Sequence, residues 1–299
     1  MKLLLILAAA AIAGLAAVFV VRNSVILSPE YFAPEALFAE KKVWGAYTGN
    51  TINSFNEFQE LAGKRADFAA VFVGWREQFP AGFESLKSNS QTLIVFWEPY
   101  EISLDGILSG DSDLYIKQFS EASKKYGEPI ILVPFHEMNG EWNPWSGVAG
   151  DNTPTKVILA WRRAHKFFED AGNVKWGWAV NHESVPDTKG NAIENYYPGD
   201  EYVDYVGVDG FNFGEPWQTY SEIFSSALDK LRAYKKPIYI FSMASAEGPK
   251  KPDWIKDALL EINSDKDIEG WLWFNENKEK NWLINSDSAS LQAFKDGIR

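Results

Sequence analysis

The sequence contains no cysteine, so disulfides and thiolate-bound metals are excluded. Histidine is nearly as scarce. His136, His165 and His182 are too few and too scattered for a zinc site. Cationic residues are outnumbered, 29 Lys and Arg against 41 Asp and Glu, for a formal net charge of -12 and a pI near 4.8. A negative field repels phosphate, which argues against nucleic acid or any other polyanion as partner. A neutral polymer meets no such barrier. No Gly-rich phosphate loop follows the first apolar run, which disfavours a dinucleotide fold. Neither a metal nor an organic cofactor is indicated.

Long hydrophobic runs are also missing, with one exception at the start. Lys2 precedes an uncharged apolar run from Leu3 to Val21, about 19 residues and near the lower limit for crossing a bilayer. Gly14-Leu15-Ala16 offers a small-residue cleavage site. Val18 to Val21 extend the run beyond that site, which favours an uncleaved anchor. Residues 1–24 are therefore expected to be a signal peptide or membrane anchor. Residues 28–299 are expected to be one exported, monomeric domain, secreted or anchored, with no linker, repeat or low-complexity tract in it.

Aromatic residues, by contrast, are abundant: 15% of the chain, with 13 Trp, and 46% of it is hydrophobic. From about Ser28 onward, short apolar runs alternate with helical patterns, the signature of βα units. Eight strands are expected, over Val43–Tyr47, Asp67–Val73, Thr92–Trp97, Ile130–Phe135, Val174–Val180, Tyr202–Val208, Pro237–Phe241 and Gly270–Trp273. Between them run apolar stripes at helical spacing. Val157, Trp161, Ala164 and Phe168 form one, behind a Thr153 cap and Pro154 at the first helical position. Ile223, Leu228, Leu231 and Tyr234 form another, and Ile255, Leu259 and Ile262 a third. Eight alternations in 299 residues fit a closed (β/α)8 TIM barrel, which typically needs about 250 residues.

Active sites of such barrels lie where the strands end at their C-terminal edge. The residues that follow the apolar runs there are polar and aromatic. Trp97 and Glu98 end the third run, His136 and Glu137 the fourth, Asn181 the fifth, Asp209 and Asn212 the sixth, and Trp273 the eighth. Trp217, in the segment after the sixth, joins this candidate set. Carboxylates and amides for hydroxyls, with flat rings for pyranose faces, make a sugar site. Glu137 follows six mostly apolar residues, so a partly desolvated carboxyl with a raised pKa is expected, suited to acid catalysis. Trp142 and Trp145 stand in the next loop as candidate stacking platforms, and His136 would orient substrate or a neighbouring carboxylate. Trp44, Trp161 and Trp176 are expected in the core.

The run His136-Glu137-Met138-Asn139-Gly140, with Trp142 and Pro144-Trp145, resembles the acid/base motif of glycoside hydrolase family 26. The likeness extends to Trp97-Glu98-Pro99, residues 105–110, residues 203–210, Lys236-Pro237-Ile238 and residues 274–277. The resemblance implies a (β/α)8 endo-β-mannanase or β-1,3-1,4-glucanase acting by retaining double displacement. Glu137 would protonate the leaving oxygen, and a carboxylate at the end of the seventh strand would attack the anomeric carbon about 5–5.5 Å away.

The chain departs from that pattern at one decisive place. Counted from Lys236, the nucleophile position holds Ser242, and Glu247 aligns with a second acidic residue common in this stretch. Phe211 replaces a Tyr that many members carry near the nucleophile. A serine hydroxyl is a poor nucleophile toward an acetal and offers no charge to an oxocarbenium-like transition state. Three readings remain open at this stage. One is a glycosidase in which Glu98, Glu183 or Glu247 substitutes. Another is a barrel that binds β-mannan or mixed-linkage β-glucan without hydrolysing it. The last is an endo-β-glycanase carrying an engineered Glu→Ser change.

Overall fold

Each of the eight apolar runs becomes a strand, because β-branched and aromatic residues suit a pleated surface buried on both faces. The computed structural model describes residues 42–80 and 82–299. The apolar run from Leu3 to Val21, with its reading as an export or anchoring segment, lies outside the described residues. No helix among the described residues is long and apolar enough to cross a membrane.

The strands are β1 (Val43–Tyr47), β2 (Phe68–Gly74), β3 (Thr92–Glu98), β4 (Ile130–Pro134), β5 (Val174–Asn181), β6 (Tyr205–Asn212), β7 (Ile238–Ser245) and β8 (Ile268–Phe274). All pair in parallel with their sequence neighbours, and β8 closes on β1. The outer layer contains α1 (Ile52–Ala62), α2 (Ser85–Ser88), α3 (Leu104–Ser109), α4 (Asp113–Tyr126), α5 (Pro154–Lys166), α6 (Tyr220–Leu231), α7 (Lys251–Ser264) and α8 (Ser288–Gly297). Helix α5 starts as expected, with Pro154 in its first turn and the Thr153 hydroxyl accepting from the Lys156 amide. Helical alternation fails once. Between β5 and β6 the chain forms only short 3-10 turns, at Lys189–Asn191, Ile193–Tyr196 and Asp200–Tyr202. Pro186, Gly190, Pro198 and Gly199 interrupt any longer helical run there.

Two apolar layers follow from the two-residue period of the strands. The barrel interior is filled by Phe68, Ala70, Ile94, Phe96, Ile131, Val133, Ala179, Tyr239, Phe241 and Leu272. The alternate residues pack outward against the helices, Trp44, Trp161 and Trp176 among the buried side chains of that larger layer.

Strand β7 breaks the period. Val208 pairs with Ile240, but Asp209 pairs with Ser242, so β7 carries one residue more than β6. A register shift against β8 falls at the same place. The extra residue is Phe241. Its ring turns into the barrel, where Gly177 and Gly207 leave room: a Cβ on either would come within 2.6 Å of it. Strict alternation from the inward Tyr239 would face Ser242 outward; the bulge turns it inward. Met243 then packs outward, as does its partner Gly210, whose absent Cβ would strike Ile223 and Phe224 of α6. Bulges beside active sites re-aim side chains in this way.

Candidate functional site

Glu137 sits just past the end of β4, where the chain turns sharply. Phe135 and Glu137 both adopt left-handed backbone, with φ of 51° and 54°, a costly conformation for residues with a Cβ. Bonds to neighbouring strands hold it: the Phe135 amide donates to the Trp97 carbonyl at 3.4 Å and the Glu137 amide to the Ala179 carbonyl at 3.0 Å. Asn139, fully buried, clamps the turn to β5. Its Oδ1 accepts from the Asn181 amide at 2.8 Å, and its Nδ2 donates to the Asn181 and Glu183 carbonyls.

The His136 ring lies between two carboxylates. Nε2 is 3.1 Å from Glu98 Oε1, and Nδ1 is 3.4 Å from Asp209 Oδ2. Burial disfavours its charge, but the hydrogen bonds to Asp209 and Glu98 win and push its pKa up to about 10. His136 is thus an imidazolium donating from both nitrogens. Nitrogen or oxygen atoms of His136, Glu137 and Asp209 fall within 4.8 Å of one another. With both ring nitrogens engaged, His136 has none left for a metal, so the group is a proton network.

Glu137 is half-buried, and its Oε2 accepts from the Trp142 indole N–H at 2.7 Å. Burial above all, then the Asp209 carboxylate, raises its pKa to about 7, against the opposing pull of His136 and Trp142. Burial also raises the pKa of Asp209, 1% exposed, whose Oδ1 has no hydrogen-bond partner among the described residues. A carboxyl near 7 beside fixed charges can give or take a proton at neutral pH.

Of the residues expected on the rim, Glu98, His136, Glu137, Asn181, Asp209 and Ser242 converge there. Trp142, 49% exposed, is free to stack on a sugar ring. Four others require correction. Trp97, Asn212 and Trp273 stand one residue out of phase with inward-facing neighbours and point into the outer layer. Trp97 donates to the Tyr115 hydroxyl and Trp273 to the Trp282 carbonyl. Asn212 bonds Ser245 and the amides of Gly214 and Gln218. Trp145, 1% exposed, lies beneath the loop and donates to the His136 carbonyl, so it braces the site and offers no stacking face.

Trp217 lies apart, half-buried in a cavity of about 660 Å³ between the loops after β6, β7 and β8. Leading toward that side is an aromatic floor of which the sequence singled out only Phe211. Phe72, Tyr47, Phe274 and Phe211 follow one another with ring centroids 4.7, 5.0 and 5.6 Å apart. Their two-residue spacing from other inward positions was the available signal. Glu276 was missed as well: it is half-buried over Gly49, with its pKa raised by burial and no hydrogen bond to its carboxylate among the described residues. Of the substitute carboxylates, Glu98 is engaged by His136 and Tyr100. Glu183 and Glu247 are exposed, and Glu247 is held by Asn281.

An eight-stranded parallel barrel with a raised carboxyl at the end of β4, among polar and aromatic rim residues, defines a glycoside hydrolase architecture. The family model of glycosyl hydrolase family 26 matches residues 87–297, and the chain belongs to that family. Endoglucanase H of Acetivibrio thermocellus is 36% identical over 271 residues, covering 85% of this chain and 30% of its own length. The chain thus spans about a third of that relative. A mannan endo-1,4-beta-mannosidase of Bacillus subtilis is 26% identical over 171 residues, 53% of this chain and 42% of its own. Among solved structures, GH26A from Muricauda sp. MAR_2010_75 superposes with a TM-score of 0.64 at 19% identity, covering 86% of this chain and 89% of the other. That likeness speaks to the fold.

Proposed function

We propose that this chain is a β-glucan-binding barrel in which Glu137 remains as the acid and double displacement is disabled at Ser242. The tip of β7 carries the reading. The side chain that faces the interior beside Asp209 is a hydroxyl, where the family's reaction needs a carboxylate. Phe211, two residues beyond Asp209, adds an apolar ring on the same rim. Stacking on Trp142 and on the aromatic floor needs no nucleophile, so binding outlives hydrolysis. The longer match to an endoglucanase than to the mannosidase favours glucan over mannan. An export or anchoring role for residues 3–21 would put the barrel where polysaccharide occurs.

The test is calorimetry with cello-oligosaccharides, mixed-linkage glucan and manno-oligosaccharides, beside a reducing-sugar assay. Binding of glucans without sugar release is expected. Ser242→Glu is expected to raise hydrolysis by at least about a thousandfold, since the missing charge is worth several kcal/mol of barrier. Brisk hydrolysis that Ser242→Glu leaves unchanged would refute the reading.

Glu276 supports a second reading, hydrolysis with inversion. As a half-buried carboxylate just beyond β8, with no hydrogen bond among the described residues, it would act as base on a water admitted by the small Ser242 side chain. This reading predicts α-configured first products and loss of their release in Glu276→Gln.

A further inference from the structure

We infer that this chain carries a second β-glucan site on the flank of the barrel, in the groove between helix α4 and the loop after β2. The inference rests on the proposed reading of the chain as a glucan-binding barrel, and adds a place for the polymer outside the cleft.

The groove exists because one element is short. Between β2 and β3 the helical layer is reduced to α2, a single turn at Ser85–Ser88. The loop after β2 fills part of the gap beside α4. Arg76 takes left-handed backbone, with φ of 77°, and the Glu77 amide donates to the Gly74 carbonyl at 3.1 Å. That turn carries Gln78 and Phe79 toward α4, where Phe79 meets Phe119 and Tyr126 with ring centroids 5.4 and 5.5 Å apart. A cavity of about 860 Å³ remains between loop and helix, within the range of about 300–1,000 Å³ typical of ligand clefts.

Its lining suits a neutral sugar. Phe79 and Tyr115 are half-buried, so part of each ring stays open to a pyranose face. Both are braced from behind: Phe119 stacks on Trp97 at 4.7 Å, and the Tyr115 hydroxyl accepts from the Trp97 indole at 3.0 Å. Rings already held in place lose little freedom when a ligand arrives. Gln78 and Gln118 line the same space, exposed and without a hydrogen bond among the described residues. A primary amide both donates and accepts, as a sugar hydroxyl does. Charges of both signs ring the cavity, Arg76, Lys87 and Lys125 against Glu77 and Glu84. No single-sign field therefore favours an ion over a neutral polymer.

Strand β3 sets this groove and the cleft back to back. Trp97 points outward and braces the groove, whereas the next residue, Glu98, points inward to His136. The loop that follows repeats the division. The Tyr100 hydroxyl donates to Glu98 on the cleft side, and Glu101 pairs with Arg76 at the groove, 3.3 Å apart. The tryptophan that the sequence placed on the sugar rim thus stands behind a different sugar face. With two sites on one domain, capture of a second polymer segment becomes a local event, so long glucan is held more tightly than a short oligosaccharide.

The experiment titrates the full chain with cellotetraose by calorimetry. Two molecules per chain are expected. Ala122→Arg puts a long side chain at a half-buried position of α4 that lines the groove; it should leave one molecule, bound with unchanged affinity. Gln118→Ala, at an exposed position that packs against nothing in the core, should weaken the flank site about fivefold, one neutral hydrogen bond. Trp142→Ala should weaken the cleft site and leave the flank site as it was. Two molecules still bound by Ala122→Arg, with Gln118→Ala at parental affinity, would overturn the assignment. A single molecule per chain, weakened by Trp142→Ala, overturns this inference and leaves the cleft reading intact. Binding that survives Trp142→Ala but is lost in Ala122→Arg supports the flank site against the cleft, and absence of binding in every protein overturns both.

Discussion

The proton balance of Glu137 shapes stability as well as chemistry. Its carboxyl is raised from 4.5 to about 7 in the folded chain, chiefly by burial. A raised carboxyl stabilises the fold fully below its unfolded value, and that contribution declines as pH climbs from about 4.5 to 7. Glu137→Gln removes the ionisation and still accepts from Trp142. It should match the parent near pH 4 and exceed it above pH 7, by on the order of 1–3 kcal/mol, in urea unfolding followed at both pH values. His136, raised from 6.5 to about 10, has the same sign in a higher window: its contribution is full below 6.5 and fades as pH nears 10. At this scale the candidate site was only partly legible. Glu137, His136 and Asp209 could be found because a carboxylate or imidazole after an apolar run has few other uses. Trp97 and Trp273 could not be told from rim residues without their phase, since tryptophan suits a helix-packing layer as well as a sugar face.

Among the elements, β7 holds the main departure from simple pattern. Its apolar run reads as five residues, yet the strand continues through Ser242 to Ser245, because small and polar residues near a barrel mouth still find partners in β6. Strand existence was legible throughout, since every run carries β-branched and aromatic residues between turn signals. The bulge was not, because nothing in Ile240-Phe241-Ser242 marks which residue is extra. Only the glycines opposite reveal it. Gly207→Ala would set a Cβ 2.3 Å from the Tyr239 carbonyl oxygen and 2.4 Å from the Phe241 ring. Such overpacking should cost about 1–3 kcal/mol, read as a lower denaturation midpoint. Shortening the ring instead, as Phe241→Leu, should relieve the double variant in part, a coupling that a thermodynamic cycle would measure.

For the molecule as a whole, charge sets which polymers approach. A net charge of -12 should leave affinity for neutral mixed-linkage glucan unchanged by salt. Carboxymethylated glucan should bind weakly at about 10 mM salt and recover toward about 1 M, as the screening length falls from about 30 to 3 Å. Titrations across that range check it. The family was legible in the chain because its motifs are long and ordered. The choice between glucan and mannan was not, because it rests on how one hydroxyl's configuration is read by loops whose course no periodicity encodes.

The bulge at Phe241 has one more consequence, for how this barrel changes over time. Tyr239 and Phe241 fill the packed interior and Ser242 faces the mouth beside Asp209, with the phenyl ring as a seam between them. On the proposed reading of Ser242, gain or loss of a carboxylate at this position alters the mouth and asks for no change in the ring packing beneath it.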